Sequence, residues 1–299
     1  MADPFVIETV DLRKRYGDVE ALRGLNLRVP AGSIFGFLGR NGAGKTTAMK
    51  ILLGMTRPTG GHARVFGLTA GSSGEGVDIR RRAAFVSEDK SLYDSMDVGT
   101  MVRFTASFFP RWRADLERQY LRLFELPPHA TVKSLSRGMR TRLALLLALC
   151  RGAELLLLDE PTSGLDPAAT EQVLQALVAH VAEEATTVFF SSHQIADVDQ
   201  IADHVAIIER GRTAISGALD DLRRDYRRIK LVFDEAAPEA TFTSPGISHV
   251  RRSGRVLTLL STAGAEQVVD EARALAPASM DVFPVSLKEI FLETVDAEE

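Results

Sequence analysis

Residues 39–46, Gly39-Arg40-Asn41-Gly42-Ala43-Gly44-Lys45-Thr46, follow the spacing Gly, four residues, Gly, Lys, Thr, which is the pattern of a loop that wraps phosphates. The flanks supply the context such a loop needs. Ile34-Phe35-Gly36-Phe37-Leu38 before it is a short apolar run of strand character, and Lys45 to Leu53 after it has helix character. Glycines let the backbone turn its N–H groups inward, where they and the positive end of the helix cradle a nucleoside triphosphate. Lys45 places a point charge on the terminal phosphates, and Thr46 offers a hydroxyl to Mg2+.

Composition sets the frame. A chain of 299 residues suggests about two domains on a prior of roughly 100 to 200 residues each. Charged residues are 25%, the hydrophobic set is 45% and the net charge is -4, which excludes a strongly basic nucleic-acid binder. The single Cys150 follows the apolar run Leu143 to Leu149; it forms no internal disulfide and is expected as a buried structural thiol, in keeping with a reducing cytoplasm. Met1-Ala2-Asp3-Pro4 is not a basic region followed by an apolar core, and no uncharged apolar stretch approaches the ~20 residues of a membrane span. The chain is expected to be soluble, with any membrane role requiring a partner.

Along the chain, Val6 to Tyr16 and Ala21 to Val29 form a predicted hairpin about the Gly17-Asp18 turn. Tyr16 stands at its end, either as a sheet-edge tyrosine or as an aromatic that stacks on an adenine ring. Arg57-Pro58-Thr59-Gly60-Gly61 breaks the first helix, and Ala70 to Gly76 is expected as a flexible surface stretch. After Arg80-Arg81-Arg82, Ala83 to Val86 is a predicted strand ending at Ser87-Glu88-Asp89. Carboxyl ends of strands face the ligand in an α/β sheet, so Glu88 is placed to reach Mg2+ or an attacking water, unless it is an exposed loop acid. Tyr93 to Glu125 turns helical, a run that Pro127-Pro128 closes, within a helical subdomain of about 90–150.

Ser136 and Gly138 lie at the start of the next helix, where a hydroxyl and free N–H groups make either an ordinary N-cap or a second anion site. Leu155-Leu156-Leu157-Leu158-Asp159-Glu160 is a strand buried on both faces and ending in two acids. Asp159 can hold Mg2+ opposite Thr46, and Glu160 can polarise a water for attack on the γ-phosphate. A rigid loop, Pro161 to Pro167, precedes a helix over Ala168 to Ala182. Thr187 to Phe190 is another buried strand, and it delivers His193 to the same sheet edge, in reach of the γ-phosphate. Val205 to Ile208 and Thr213 to Ile215 complete the domain as a hairpin about Arg210-Gly211.

Taken together, residues 5–217 resemble the nucleotide-binding subunit of an ATP-binding cassette (ABC) transporter: a phosphate-loop NTPase of α/β class, with a parallel core sheet, an antiparallel β subdomain and a helical subdomain. By that resemblance Tyr16 is the adenine-stacking residue, Gly39 to Thr46 the Walker A loop with Thr47 next to it, Glu88 the Q-loop position, and Leu135 to Met139 the signature. Asp159 and Glu160 become the Walker B pair, Ser163 to Asp166 the D-loop, and His193 the switch. Two positions depart from the family pattern. The signature is Leu-Ser-Arg-Gly-Met rather than Leu-Ser-Gly-Gly-Gln, and Glu88 stands for the usual glutamine. Both departures resemble bacterial ABC-2-type exporter ATPases.

The resemblance also implies partners. Two cassettes meet head to tail, so that Ser136 and Gly138 of one subunit close on the phosphate held by Lys45 of the other, and the helical subdomain passes motion to a membrane permease near Glu88 to Phe104. The expected protein is an ATPase using ATP and Mg2+, in a homodimer or heterodimer, cytoplasmic and peripheral at the membrane through its permease, powering export of a cargo that the permease selects. Nucleic acid is not an expected partner. A soluble ABC ATPase acting on nucleic acid or the ribosome would resemble two fused cassettes or carry long coiled coils between its Walker motifs, and each motif occurs once here. A phosphate-loop kinase would leave the signature and His193 without a purpose. Residues 218–299 are expected as a small α+β appendage, with strands at Ile229 to Phe233 and Val256 to Leu260 and helices at Ala265 to Leu275 and Leu287 to Val295. Arg223, Arg224, Arg227 and Arg228 before it are expected as a solvated helix face rather than a contact with anionic lipid or nucleic acid.

Overall fold

The computed structural model describes residues 4–72, 74–240, 242–244 and 246–296. The leader reading on Met1, Ala2 and Asp3, and Ser73 of the flexible stretch, lie outside the described residues. The chain divides into two compact units, Met1–Ser216 and Gly217–Glu299.

In the first unit, β1 (Phe5–Tyr16) and β2 (Val19–Pro30) form the hairpin, and β3 (Ile34–Leu38) leads to α1 (Lys45–Leu52). Next come β4 (Gly60–Val65), β5 (Leu68–Thr69), α2 (Glu75–Arg82) and β6 (Ala83–Val86). The helical part is α3 (Val98–Ala106), α4 (Ala114–Leu123) and α5 (Arg137–Leu149). After it run β7 (Leu155–Asp159), α6 (Pro167–Glu184), β8 (Thr187–Ser192), α7 (Ile195–Ile201), β9 (His204–Glu209) and β10 (Arg212–Ala218). One four-stranded sheet has the order β2-β1-β4-β5, and a six-stranded sheet has the order β10-β9-β3-β8-β7-β6. Within the latter, β9, β3, β8, β7 and β6 run parallel.

β3, β7 and β8 are buried at every residue, which explains their unbroken apolar runs: helices and the second sheet cover both faces. Phe189 packs its ring 5.5 Å from Phe35 and 5.1 Å from Phe37, while Met49, Ile51 and Leu52 of α1 join the same core as Leu12, Leu25 and Leu27 of the hairpin. That core fixes β3 and α1 rigidly on either side of the phosphate loop. Cys150 ends α5 fully buried, and burial pushes its thiol pKa well above the usual value.

The second unit continues with α8 (Leu219–Asp225), β11 (Arg227–Val232), β12 (Ile247–Ser253), β13 (Val256–Ser261), α9 (Ala265–Arg273), β14 (Ser279–Pro284) and α10 (Leu287–Asp296). Its antiparallel sheet has the order β12-β13-β11-β14. Ile229, Leu231, Leu257 and Leu259 pack under Val268 and Ala272 of α9.

Several elements differ from expectation. The stretch ending in Arg80-Arg81-Arg82 forms α2, and the basic run 223–228 is divided: Arg223 and Arg224 sit on α8, while Arg227 and Arg228 begin a strand, with Arg228 paired to Glu289. The solvated-helix reading therefore holds only for the first two. β12 and β14 escaped detection because they are edge strands: β12 is exposed at nearly every residue and carries no apolar alternation. Among the described residues no helix is long and apolar enough to cross a membrane.

One buried titratable group makes the fold pH-sensitive. His180 of α6 is 4% exposed, lies 3.3 Å from the Tyr120 hydroxyl of α4, and has its pKa lowered by burial to about 4. The folded value lies below the ordinary 6.5, so as the pH falls the unfolded chain takes up the proton first. Stability is unaffected above that range and declines between about pH 6.5 and 4, by on the order of 3 kcal/mol in total. Thermal midpoints measured from pH 7 to pH 4.5 are expected to fall more steeply in the native protein than in His180→Leu.

Candidate functional site

The carboxyl ends of β3, β6 and β7 open on a cavity of ≈330 Å³. Asn41, Gly42, Gly44, Lys45, Thr46 and Thr47 line one side, Glu88, Asp159 and Glu160 the other, with Ala21 of β2 at the rim. Local backbone chemistry shapes this loop. Gly44 precedes α1 with φ +109°, and a Cβ there would stand 2.6 Å from the Ala21 carbonyl oxygen and 2.7 Å from Leu22 Cδ2. Gly39 is pressed as closely against Ile208, and Ala43 ties the loop to β9–β10 by accepting from Gly211 N at 3.1 Å. Arg40 and Asn41 form the exposed crest.

The charged side chains converge. Lys45 is 7% exposed; its ammonium donates to the carbonyls of Gly39 at 2.7 Å and Arg40 at 3.3 Å, and stands 3.7 Å from Glu160 Oε1. Thr46 Oγ1 donates to Asp159 Oδ2 at 2.7 Å. The other Asp159 oxygen accepts from Ser191 Oγ at 2.6 Å, and Ser191 Oγ in turn accepts from Glu160 N at 3.1 Å. The second oxygen of Glu160 lies 2.8 Å from His193 Nδ1. Asp159 and Glu160 are therefore buried but fully engaged, as buried carboxylates must be.

Glu160 also has φ +52°, a left-handed conformation that costs on the order of 1–3 kcal/mol for a residue with a side chain. This bend turns the chain out of β7 and sets the carboxylate at the cavity. Ser191 was not singled out by sequence; its signal was a polar residue ending an apolar strand beside the strand that carries the acids.

Other expected residues stand elsewhere. Tyr16 does not line the cavity; it is 47% exposed at the end of β1, with the Lys14 ammonium 4.7 Å from its ring centre. Ser136 caps α5, its hydroxyl accepting from Met139 N at 3.2 Å, and Asp166 caps α6 by accepting from Ala169 N at 2.9 Å. Ser136, Gly138 and Asp166 line a second, open surface, which shares no residue with the phosphate-loop cavity.

Strand, glycine loop and helix, with a threonine–aspartate pair and a second acid opposite, define a phosphate-loop NTPase. The family model described as ABC transporter matches residues 22–163, and a model described as AAA domain, putative AbiEii toxin, Type IV TA system, matches residues 130–198. The chain is 34% identical to the bacitracin transport ATP-binding protein BcrA of Bacillus licheniformis, over 75% of this chain and 73% of that one. It is 33% identical to the daunorubicin resistance ATP-binding protein DrrA3 of Streptomyces coeruleorubidus, over 99% and 95%, and 33% identical to the Nod factor export ATP-binding protein I of Cupriavidus pinatubonensis, over 73% and 67%. Among solved structures, an ATP-binding subunit of an ABC transporter superposes with a TM-score of 0.66 at 28% identity, covering 73% of this chain and 92% of that one. The chain belongs to the ATP-binding proteins of ABC transporters, and its activity is ATP hydrolysis.

The close approach at Gly44 is directly testable. Gly44→Ala forces a Cβ into the Ala21 carbonyl at a positive φ, and is expected to lower stability by about 1–3 kcal/mol in urea denaturation while weakening ATP binding.

Proposed function

We propose that the chain is the energising subunit of a membrane exporter, working as one of a pair of cassettes docked on a separate permease at the cytoplasmic face of the membrane. The observation that carries the catalytic part is the Glu160 carboxylate, held between the Lys45 ammonium and the His193 ring at the wall of the phosphate-loop cavity.

The residues present fit a bound Mg2+. Thr46 Oγ1 and Asp159 Oδ2 are adjacent hard oxygens of the kind Mg2+ takes. Bound there, Mg2+ would neutralise charge on the β- and γ-phosphates. Glu88, on the same wall as Asp159, would act on the same ion or on the water beside it. The chain's own groups do the rest. Loop N–H groups from Gly39 to Thr46 and the start of α1, which Thr47 extends, hold the phosphates, Lys45 exchanges its carbonyl contacts for phosphate oxygens, and Tyr16 stacks on the adenine. Glu160 accepts the proton of the attacking water as the water's oxygen reaches the γ-phosphorus and the bond to the β-phosphate oxygen breaks. His193 orients that carboxylate and contacts the γ-phosphate.

Ser136, Gly138 and Asp166 support the pairing. Ser136 and Gly138 at the capped start of α5 and Asp166 at the capped start of α6 lie on a surface apart from the chain's own phosphate loop, which suits an anion held by a second subunit. Closure would exclude water and complete the charge stabilisation, and phosphate release would let the halves part. Export is supported by the likeness to a bacitracin transport, a daunorubicin resistance and a Nod factor export ATP-binding protein; the permease would set the cargo.

Glu160→Gln is expected to keep ATP affinity within about twofold while cutting turnover by about 100-fold or more, and to accumulate as a dimer in ATP by light scattering. Lys45→Ala is expected to weaken ATP binding itself by about 10- to 100-fold in a nucleotide titration. Wild-type turnover by Glu160→Gln would remove Glu160 from the role of base.

A further inference from the structure

Lys90 lies in the loop joining β6 to α3 and is 6% exposed. Its ammonium does not make its hydrogen bonds to a carboxylate. It donates to the main-chain carbonyl of Glu160 at 2.9 Å and reaches that of Asp159 at 3.4 Å. β6 ends at Val86, paired with Leu158, so no strand on that side continues alongside Asp159 and Glu160. A lysine carrying three donors on a long stem substitutes for the missing strand.

Both ends of this link are bent. Lys90 has φ +45° and closes a turn by donating its N–H to Ser87 O at 3.2 Å; Glu160 has φ +52° and closes another by accepting from Ser163 N at 3.2 Å. The same loop is anchored further on, where Asp94 accepts from Arg140 of α5 at 2.6 Å. The loop thus runs from the acids at the nucleotide to the helix that presents Ser136 and Gly138. The carbonyls of Glu160 and Asp159 belong to the two peptides that flank the Glu160 Cα, so the bonds from Lys90 bear on where the carboxylate stands.

We propose that Lys90 is a positioning residue for ATP hydrolysis, tying the loop after β6 to the backbone of Asp159 and Glu160 and thereby aiming the Glu160 carboxylate. The proposal rests on the reading of Glu160 as the group that accepts the water's proton. It assigns Lys90 no contact with the nucleotide. Its effect belongs in kcat, and only while Glu160 is present.

The test uses the full chain, with Lys90→Met and Lys90→Gln, each alone and combined with Glu160→Gln. Steady-state ATP hydrolysis gives kcat and KM, and titration with a fluorescent ATP analogue gives Kd. Both single variants are expected to lose about 10- to 100-fold in kcat while Kd stays within about threefold, and the double variants are expected to turn over no more slowly than Glu160→Gln alone. Unchanged kcat in both variants, with Glu160→Gln stalled, overturns the role of Lys90 and leaves that of Glu160 standing. Loss of nucleotide binding in step with kcat in both variants, or a further drop in the double variants, shows a general structural role and overturns it too. Full turnover by Glu160→Gln removes the premise, and the proposal falls with it.

Discussion

Four leucines buried in β7 hold the whole site in place. A slip of one residue would draw Asp159 into the apolar interior or push a leucine among the polar groups at the strand's end, so the register is fixed, and with it the height at which Asp159 and Glu160 leave the sheet. The phosphate loop depends on the same constraint from the other side, because β3 and α1 share the core of Phe35, Phe37, Phe189 and Met49. The 2.7 Å contact between Thr46 and Asp159 is where these two rigid halves meet.

Around that contact the protein places strain and charge that would be unfavourable in isolation. The left-handed bend at Glu160, the buried ammonium of Lys45 and the buried carboxylate of Asp159 are each satisfied by a named partner, and the partners come from four different segments: the phosphate loop, β7, β8 and the loop after β6. A network drawn from distant parts of the chain forms only when the sheet is complete, which couples the folding of the nucleotide-binding unit to the geometry of its site.

Much of this was legible in the sequence, and the reasons are specific. The loop from Gly39 to Thr46 has a fixed spacing because its backbone must face phosphates, and β7 announces itself because burial on both faces demands an unbroken apolar run. The cap at Ser136 and the hairpin about Gly17-Asp18 followed from local chemistry as well. What sequence reasoning missed was decided by tertiary context. α2 buries little beyond Ile79 and so has hardly any periodic signal, although Glu75 and Asp78 at its start and three arginines at its end match the helix dipole. Ser191 and Lys90 act through contacts with residues far along the chain, and no local pattern marks a serine or a lysine for that use.

The seclusion of Cys150 has a practical corollary. It is the only thiol in the sequence, it closes α5 with no exposed surface, and its thiolate is disfavoured by the apolar surroundings. A thiol-selective reagent would meet it only after that helix has left the core, so the protein contains a native chemical reporter, silent in the intact molecule, for the opening of the segment that Ser136 caps.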